Sequence, residues 1–427
     1  MTRRWAYSIV LAACVVPRLV VLLYERGSIL ADNTEKSDSF AVTFVHSGTY
    51  GFIPGVPSAW TQPAYSFFLI PIYWIFGRNW PSVGLWQIAV AAATALIVYE
   101  TGRRFLSPRA GLVAAVAATL NPYLIWHDVH VNREIVDQLL AAAIVLLTLI
   151  AADRATRRVL WVCAGLGIVL ALGILGNTRL LFLPLVCAGF VLWQRRTMLA
   201  PALCIGACLV ALVPWAIRND VSVGCFTLST DTKALWKANN ANTYATLAAG
   251  KWIDDVPDLP GAPKTPEFAG AYYDAHHKVI PVDECAQQSF YRTKALHFIV
   301  DHPGEKAKLA GQAVRMFWDP RVQKTEGRPG AGGFLDRART WVQPLYAIPL
   351  YLFAIWGLFL APRRVSVLVL LLLGYQTVVA MGFAGDTRYR VPWDFLLALV
   401  ASVAVLQLVA RLTARRAPPP SRAEPET

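Results

Sequence analysis

Apolar runs of close to twenty residues recur along this chain of 427 residues, and arginine pairs stand between many of them, at 103–104, 157–158, 195–196 and 363–364. A run of that length matches the roughly 30 Å hydrocarbon core of a bilayer. In that medium each backbone N–H and C=O must be satisfied within the segment, which an α-helix does. The pattern therefore predicts an all-α polytopic membrane protein. Composition agrees: 56% of residues are hydrophobic and only 16% charged, with a mean hydropathy of +0.44, more apolar than one soluble core requires. The formal charge of +13 would suggest a nucleic-acid partner in a soluble protein. Here the basic residues sit between apolar runs, so the charge describes topology and nucleic acid is excluded as a partner.

The predicted spans are 5–24, 83–99, 110–126, 135–152, 159–175, 180–194, 200–217, 342–360, 365–384 and 391–410, about ten in all. The segment 63–77, PAYSFFLIPIYWIFG, is also apolar, but it is short and carries Pro63 and Pro71. Charge counting decides its place. If it does not cross, one face receives sixteen arginines from short loops and termini, against seven basic residues in the short loops of the other face. That asymmetry satisfies the positive-inside rule and places both termini in the cytoplasm. Residues 63–77 then form an outer-surface helix, and the first span is an uncleaved anchor.

This topology divides the chain into an N-terminal transmembrane module (1–217) with a first outer loop (25–82), an extracytoplasmic loop domain (218–341), C-terminal transmembrane helices (342–416) and a disordered cytoplasmic tail (417–427). The loop 218–341 is too long for an idle connection and is expected to fold. It holds Cys225 and Cys285, which would pair if that compartment is oxidising. Cys14, Cys163, Cys187, Cys204 and Cys208 lie inside apolar runs as small packing residues.

The same topology gathers the polar residues of the short loops on the outer side: Asp32, Glu35 and Asp38; His127, Asp128, His130, Arg133 and Glu134; Arg179; Asp386, Arg388 and Arg390. Acids and bases at the membrane surface suit a reaction between a lipid-borne substrate and something in the outer compartment. Asp32, Glu35 and Asp38 recur every third residue, which would set them along one helix side where a carboxylate could serve as general base, but Asp32 and Glu35 also have the spacing of a capping box, which spacing alone favours. His127, Asp128 and His130 offer metal-ligand chemistry or ordinary interfacial hydrogen bonding. Glu134 opens an apolar run and points back toward the outer cleft, or else compensates a helix N-terminus. Arg179 and the pair Arg388 and Arg390 are sharper signals, because guanidinium groups stay charged and bind phosphate bidentately. Arg218, at the mouth of the long loop, is a candidate to join them. Asp137 and Arg18, inside apolar runs, suggest a structural ion pair or cavity-facing groups.

Together the acidic first outer loop leading to HSGTYGF and QPAYSFFLIPIYWIFG, then VYETGRRFLSPRAGLVAAVAATLNPYLIW, NREIVDQLL, GNTRLLFLPL, PWAIRND with WKANNANTY, ALHFIVDHPGEKAKLAGQAVRMFWDPR and GDTRYRVP resemble, in that order, the C-type glycosyltransferase superfamily. The resemblance is to its bacterial branch, similar to dolichyl-phosphate-mannose protein mannosyltransferases and lipid A aminoarabinose transferases. It implies an inverting transfer of a hexose or pentose from a polyprenyl-phosphate-linked sugar donor to a glycan, lipid or protein acceptor, on the outer face of a bacterial cytoplasmic membrane. It places the catalytic carboxylate at Asp32, sixteen residues before Gly48, with Glu35 the alternative, and a second acid at Glu134. It assigns donor binding to Arg179, Asp386, Arg388, Tyr389 and Arg390, with Arg218 and Gln62 nearby; Gln62 stands where many relatives carry a charged residue. No cofactor is demanded, and a divalent metal stays open because family members differ on it. The alternative function is a flippase or transporter that moves a polyprenyl-linked glycan without cleaving a bond.

Overall fold

The computed structural model describes residues 2–31, 36–322 and 334–416, and the regular structure among them is helical. In chain order, α1 (Arg3–Tyr24) is followed by α2 (Lys36–Ser47), α3 (Pro63–Phe76), α4 (Trp80–Phe105), α5 (Pro108–Thr119), α6 (Pro122–His127), α7 (Glu134–Ala152), α8 (Val159–Gly176), α9 (Leu183–Arg195) and α10 (Leu199–Val223). The polar segment after α10 holds α11 (Lys233–Lys237), α12 (Thr243–Ala248), α13 (Pro266–His276), α14 (Glu284–Asp301) and α15 (Pro303–Trp318). Then come α16 (Phe334–Leu360), α17 (Arg363–Gly382), α18 (Thr387–Arg390) and α19 (Phe395–Arg416). Among the described residues eight helices are long and apolar enough to cross a bilayer: α1, α4, α7, α8, α10, α16, α17 and α19. The chain is a multi-pass membrane protein.

Two of the ten expected spans take another form. The run 110–126 is broken between α5 and α6, where Asn121 caps α6 by accepting from the Tyr123 N–H at 3.0 Å. Pro122 has no N–H and biases Asn121 away from helical backbone, so the run cannot continue as one helix. The run 180–194 starts late, because a 3₁₀ turn over Thr178–Leu180 precedes it and α9 has only 13 residues. The apolar 63–77 forms the 14-residue α3, too short to cross alone.

Close backbone contact builds the bundle. A Cβ on Gly167 of α8 would lie 2.3 Å from the Cys204 carbonyl of α10, so these helices touch main chain to main chain, as membrane helices do where small residues line the interface. At one end of the bundle the arginines meet: Arg3 and Arg103 both donate to Glu100, Arg154 donates to the Gln194 carbonyl at 3.0 Å, and Arg364 lies 3.9 Å from Asp153. From there α7 runs 19 residues to Glu134, about 28 Å at 1.5 Å per residue, which is one hydrocarbon thickness.

Arg18 and Asp137 do not pair with each other. Arg18 binds Asp128 at 2.8 Å, with both side chains all but fully buried, and also donates to the Thr119 carbonyl at 3.0 Å. Gln138 donates to the other Asp128 oxygen at 2.8 Å. α1 packs on α4, α5 and α6, so its arginine reaches the loop after α6 rather than the interior of α7. Cys225 and Cys285 form a disulfide with a Cα–Cα distance of 5.9 Å, tying the end of α10 to α14.

Candidate functional site

Opposite the arginine-rich end, α7, α8, α17 and the loop before α19 converge on a narrow cleft. Its chemistry comes from Glu134 and Asp137 of α7, Asn177 and Arg179 after α8, Gln376 of α17, and Arg388 and Tyr389 of α18; Leu180, Phe317, Pro392 and Trp393 form apolar wall.

Glu134 is the first residue of α7 and is 3% exposed. The loop that delivers it is fastened from behind. Gln87 of α4 donates to the carbonyls of Asp128 (2.9 Å) and His130 (2.7 Å). Tyr65 of α3 donates to Gln87 and accepts from the Asn132 N–H at 2.8 Å. In turn Asn132 accepts from the Glu134 N–H. With the loop so held, one Glu134 oxygen accepts from Arg388 Nε, an ion pair between residues 254 positions apart.

Arg179 lies in the turn between α8 and α9. Its N–H donates to the Asn177 side chain (3.2 Å) and its carbonyl accepts from Tyr375 (2.7 Å), so its backbone is fixed independently of its side chain. The guanidinium lies over the Tyr389 ring, 3.5 Å from the centroid, with Phe383 at 5.2 Å. Burial, reinforced by nearby Arg133 and Arg388, pulls its pKa below the ordinary arginine value. A cation held by a π face and crowded by other cations is poised to accept an anion. Gln62 lies behind the cleft, accepting from Arg133 at 3.3 Å and donating to Thr178 at 3.4 Å, and so links the neighbours of Glu134 and Arg179.

Loop 383–386 is pressed against α15. A Cβ on Gly385 would fall 1.8 Å from the Ala313 carbonyl, and Asp386 then caps α18 by accepting from the Arg388 N–H at 3.2 Å. Lys306 of α15 donates to the Met381 carbonyl (2.7 Å) and to Asn239, clamping the end of α17; burial pulls its pKa down to about 8. Gly385→Ala should therefore push α18 off α15 and destabilise the protein, measured as a lower melting temperature in detergent; an unchanged melting temperature would show that the loop yields at no cost.

Several sequence expectations are redistributed. Arg390 turns away from the cleft: it is fully buried, bound to Asp394 at 3.0 Å and to the Phe317 carbonyl at 2.6 Å. Residues two apart on a helix lie about 200° apart, so Arg388 and Arg390 cannot face the same ligand. Arg218 is likewise committed elsewhere, donating to the carbonyls of Ser58 (2.7 Å) and Tyr50 (3.1 Å) against the Tyr50 and Trp215 rings. Asp38 is buried against Arg78 (2.7 Å) and Tyr73 (2.5 Å). Asp128 is taken by Arg18, and among the described residues no group of three or more His, Cys, Asp or Glu stands close enough to hold a metal ion. Asp32 and Glu35 lie outside the described residues; beside them, Lys36 is held by Asp231 (3.6 Å) and Glu267 (3.2 Å) of the segment after α10. The cleft also contains Asn177 and Gln376, to which the sequence reading gave no role, and Asp137, which it left without chemistry. Gln376 and Asp137 are polar residues within apolar runs, and Asn177 stands between two such runs.

Residues 58–217 match the family described as dolichyl-phosphate-mannose-protein mannosyltransferase. No curated protein matches the chain. Among solved structures, the Archaeoglobus fulgidus oligosaccharyltransferase, tethered with an acceptor peptide containing the NVT sequon, aligns with a TM-score of 0.56 at 12% identity, covering 97% of this chain and 51% of that one. The chain thus spans about half the length of that enzyme, and the likeness shows a shared fold. ArnT from Cupriavidus metallidurans, bound to undecaprenyl phosphate, aligns with a TM-score of 0.42 at 14% identity, covering 98% and 82%.

Proposed function

We propose that this chain, whose fold is shared with a membrane oligosaccharyltransferase and whose residues 58–217 match a protein mannosyltransferase family, is a C-type glycosyltransferase that moves a sugar from a polyprenyl-phosphate-linked donor to a glycan, lipid or protein acceptor at the outer face of a bacterial cytoplasmic membrane. One observation carries the reading: three separate loops bring a carboxylate and two guanidinium groups, Glu134, Arg179 and Arg388, into one cleft at the end of the bundle away from the arginine cluster. By the positive-inside rule the arginine-rich end is cytoplasmic and the cleft faces out.

Arg388 and Arg179 hold the donor phosphate. A carboxylate of the first outer loop, Asp32 with Glu35 the alternative, takes the proton from the acceptor hydroxyl, whose oxygen attacks the anomeric carbon. As that C–O bond forms, the bond from carbon to phosphate oxygen breaks and the electron pair leaves with the phosphate. The departing group gains negative charge as it leaves, so fixed cations stabilise the transition state more than the bound donor. Glu134 keeps Arg388 aimed into the cleft until phosphate competes for it. Asp386 acts on the same arginine as the cap of its helix, and Gln62 positions both sides.

The test is mass spectrometry of lipids after incubating membranes with a polyprenyl-phosphate sugar and acceptor extract. Release of free polyprenyl phosphate that depends on the protein, and at least a hundredfold loss of it in Asp32→Asn at normal expression, is expected. Sugar movement across the bilayer with no bond cleaved would replace the transferase by a flippase.

A further inference from the structure

In the cleft, two buried atoms of opposite hydrogen-bonding character have no partner. Gln376 of α17 is 6% exposed, and its Nε2 donates to nothing. Glu134 uses one oxygen on Arg388, while its Oε2 accepts from nothing. Both side chains line the same cleft. Gln376 stands six residues before the end of α17, about 9 Å inward from the helix terminus. An unanswered amide donor at that depth is destabilising unless a ligand completes it, and so is an unanswered carboxylate oxygen on a side chain as buried as Glu134.

The complement narrows the ligand. A phosphate diester offers acceptors only: it could take the Gln376 N–H but would be repelled by Glu134. An isoprenoid tail answers neither atom. A hydroxyl answers both, donating to Glu134 Oε2 while accepting from Gln376 Nε2. Around the pair, Asp137 and Asn177 supply further polar groups, while Trp393 and Phe317 supply flat apolar surface. Hydroxyl-matching groups beside aromatic faces suit a sugar ring, whose edges are polar and whose faces are C–H. We infer that Gln376 and Glu134 Oε2 form the subsite for a ring hydroxyl of the donor's glycosyl group, with Arg179 and Arg388 on the phosphate beside it. This rests on the donor reading above and adds a specificity-determining residue on a membrane helix. It also sets a sugar class: an uncharged hydroxyl is required at that ring position, since a carboxylate there would face Glu134.

The experiment is native mass spectrometry of the purified full chain with three probes: undecaprenyl phosphate without sugar, a panel of undecaprenyl-phosphate hexosides and pentosides, and monodeoxy versions of the tightest binder. The unaltered protein should bind at least one glycoside about tenfold more tightly than the bare lipid phosphate, the scale of one good hydrogen-bonded contact. It should also lose that margin for one monodeoxy analogue. Gln376→Met, similar in length and apolar, should erase the margin while keeping the bare lipid phosphate within about threefold, which also reports that the variant is folded. If Gln376→Met does not fold, the monodeoxy series on the unaltered protein still decides. An unchanged margin in Gln376→Met overturns the subsite, as does equal binding of all monodeoxy analogues. Binding of neither bare nor glycosylated lipid would instead remove the donor reading itself, and the subsite with it.

Discussion

Replacing Arg179 with alanine should lower transfer from a polyprenyl-phosphate sugar by about a hundredfold or more, the usual cost of deleting one group that stabilises developing charge. The variant should stay folded, because Asn177 and Tyr375 hold the Arg179 main chain and not its guanidinium. The loss should fall more on kcat than on KM. In the proposed reaction the donor phosphate is a diester with one negative charge and leaves as a monoester approaching two, so the cation would matter most as the bond breaks. Arg179→Lys should recover little, because an ammonium cannot lie flat on the Tyr389 ring or present a planar fork to phosphate. Tyr389→Phe keeps the π face and should lose far less than Tyr389→Leu. Steady-state kinetics with the donor varied would check this set, and an Arg179→Ala enzyme with unchanged kcat would remove Arg179 from the leaving phosphate.

The fold class was legible because hydrocarbon imposes one rule on every residue of a span, so length, apolarity and flanking arginines suffice. The breaks were not, although their causes are single residues. Pro122 interrupts an otherwise continuous run after Asn121, and the 3₁₀ turn at Thr178–Leu180 delays α9. Within the site, Glu134, Arg179 and Arg388 stood out as charges on the less basic face. The sequence could not tell which arginine of the Arg388 and Arg390 pair faces the cleft without knowing that they sit on a helical turn. It also could not say that Arg218 would be consumed by the carbonyls of Ser58 and Tyr50. Partner choice at long range depends on how helices pack: Arg18 reaches Asp128 and not Asp137 because α1 lies against α6. Gln376 was invisible for the opposite reason. One amide in an apolar run is unremarkable until the structure leaves it unanswered inside a cleft.

Removing one partner of the Arg18–Asp128 pair should produce the largest stability loss in the molecule, about 3–5 kcal/mol, because the survivor is a buried charge without a counterion. Arg18 is surrounded by α1, α5 and α6, and its donors are otherwise spent on the carbonyls of Cys14 and Thr119. In Arg18→Met the Asp128 carboxylate keeps only Gln138, a neutral donor. The loop from Asp128 to Asn132 then loosens, and that loop delivers Glu134. Arg18→Met should accordingly lower both thermal stability in detergent and donor affinity, although it touches no substrate. Asp128→Asn should lower stability as well, by stranding the guanidinium. The double variant Arg18→Met with Asp128→Leu leaves neither charge, and a buried pair replaced by apolar side chains is often close to neutral. It should regain most of the stability lost by either single change, and the coupling between the two positions should exceed about 2 kcal/mol in a double-mutant cycle. Additive losses would mean that the two side chains do not act as a pair, and that the loop carrying Glu134 is held by Gln87 and Tyr65 alone.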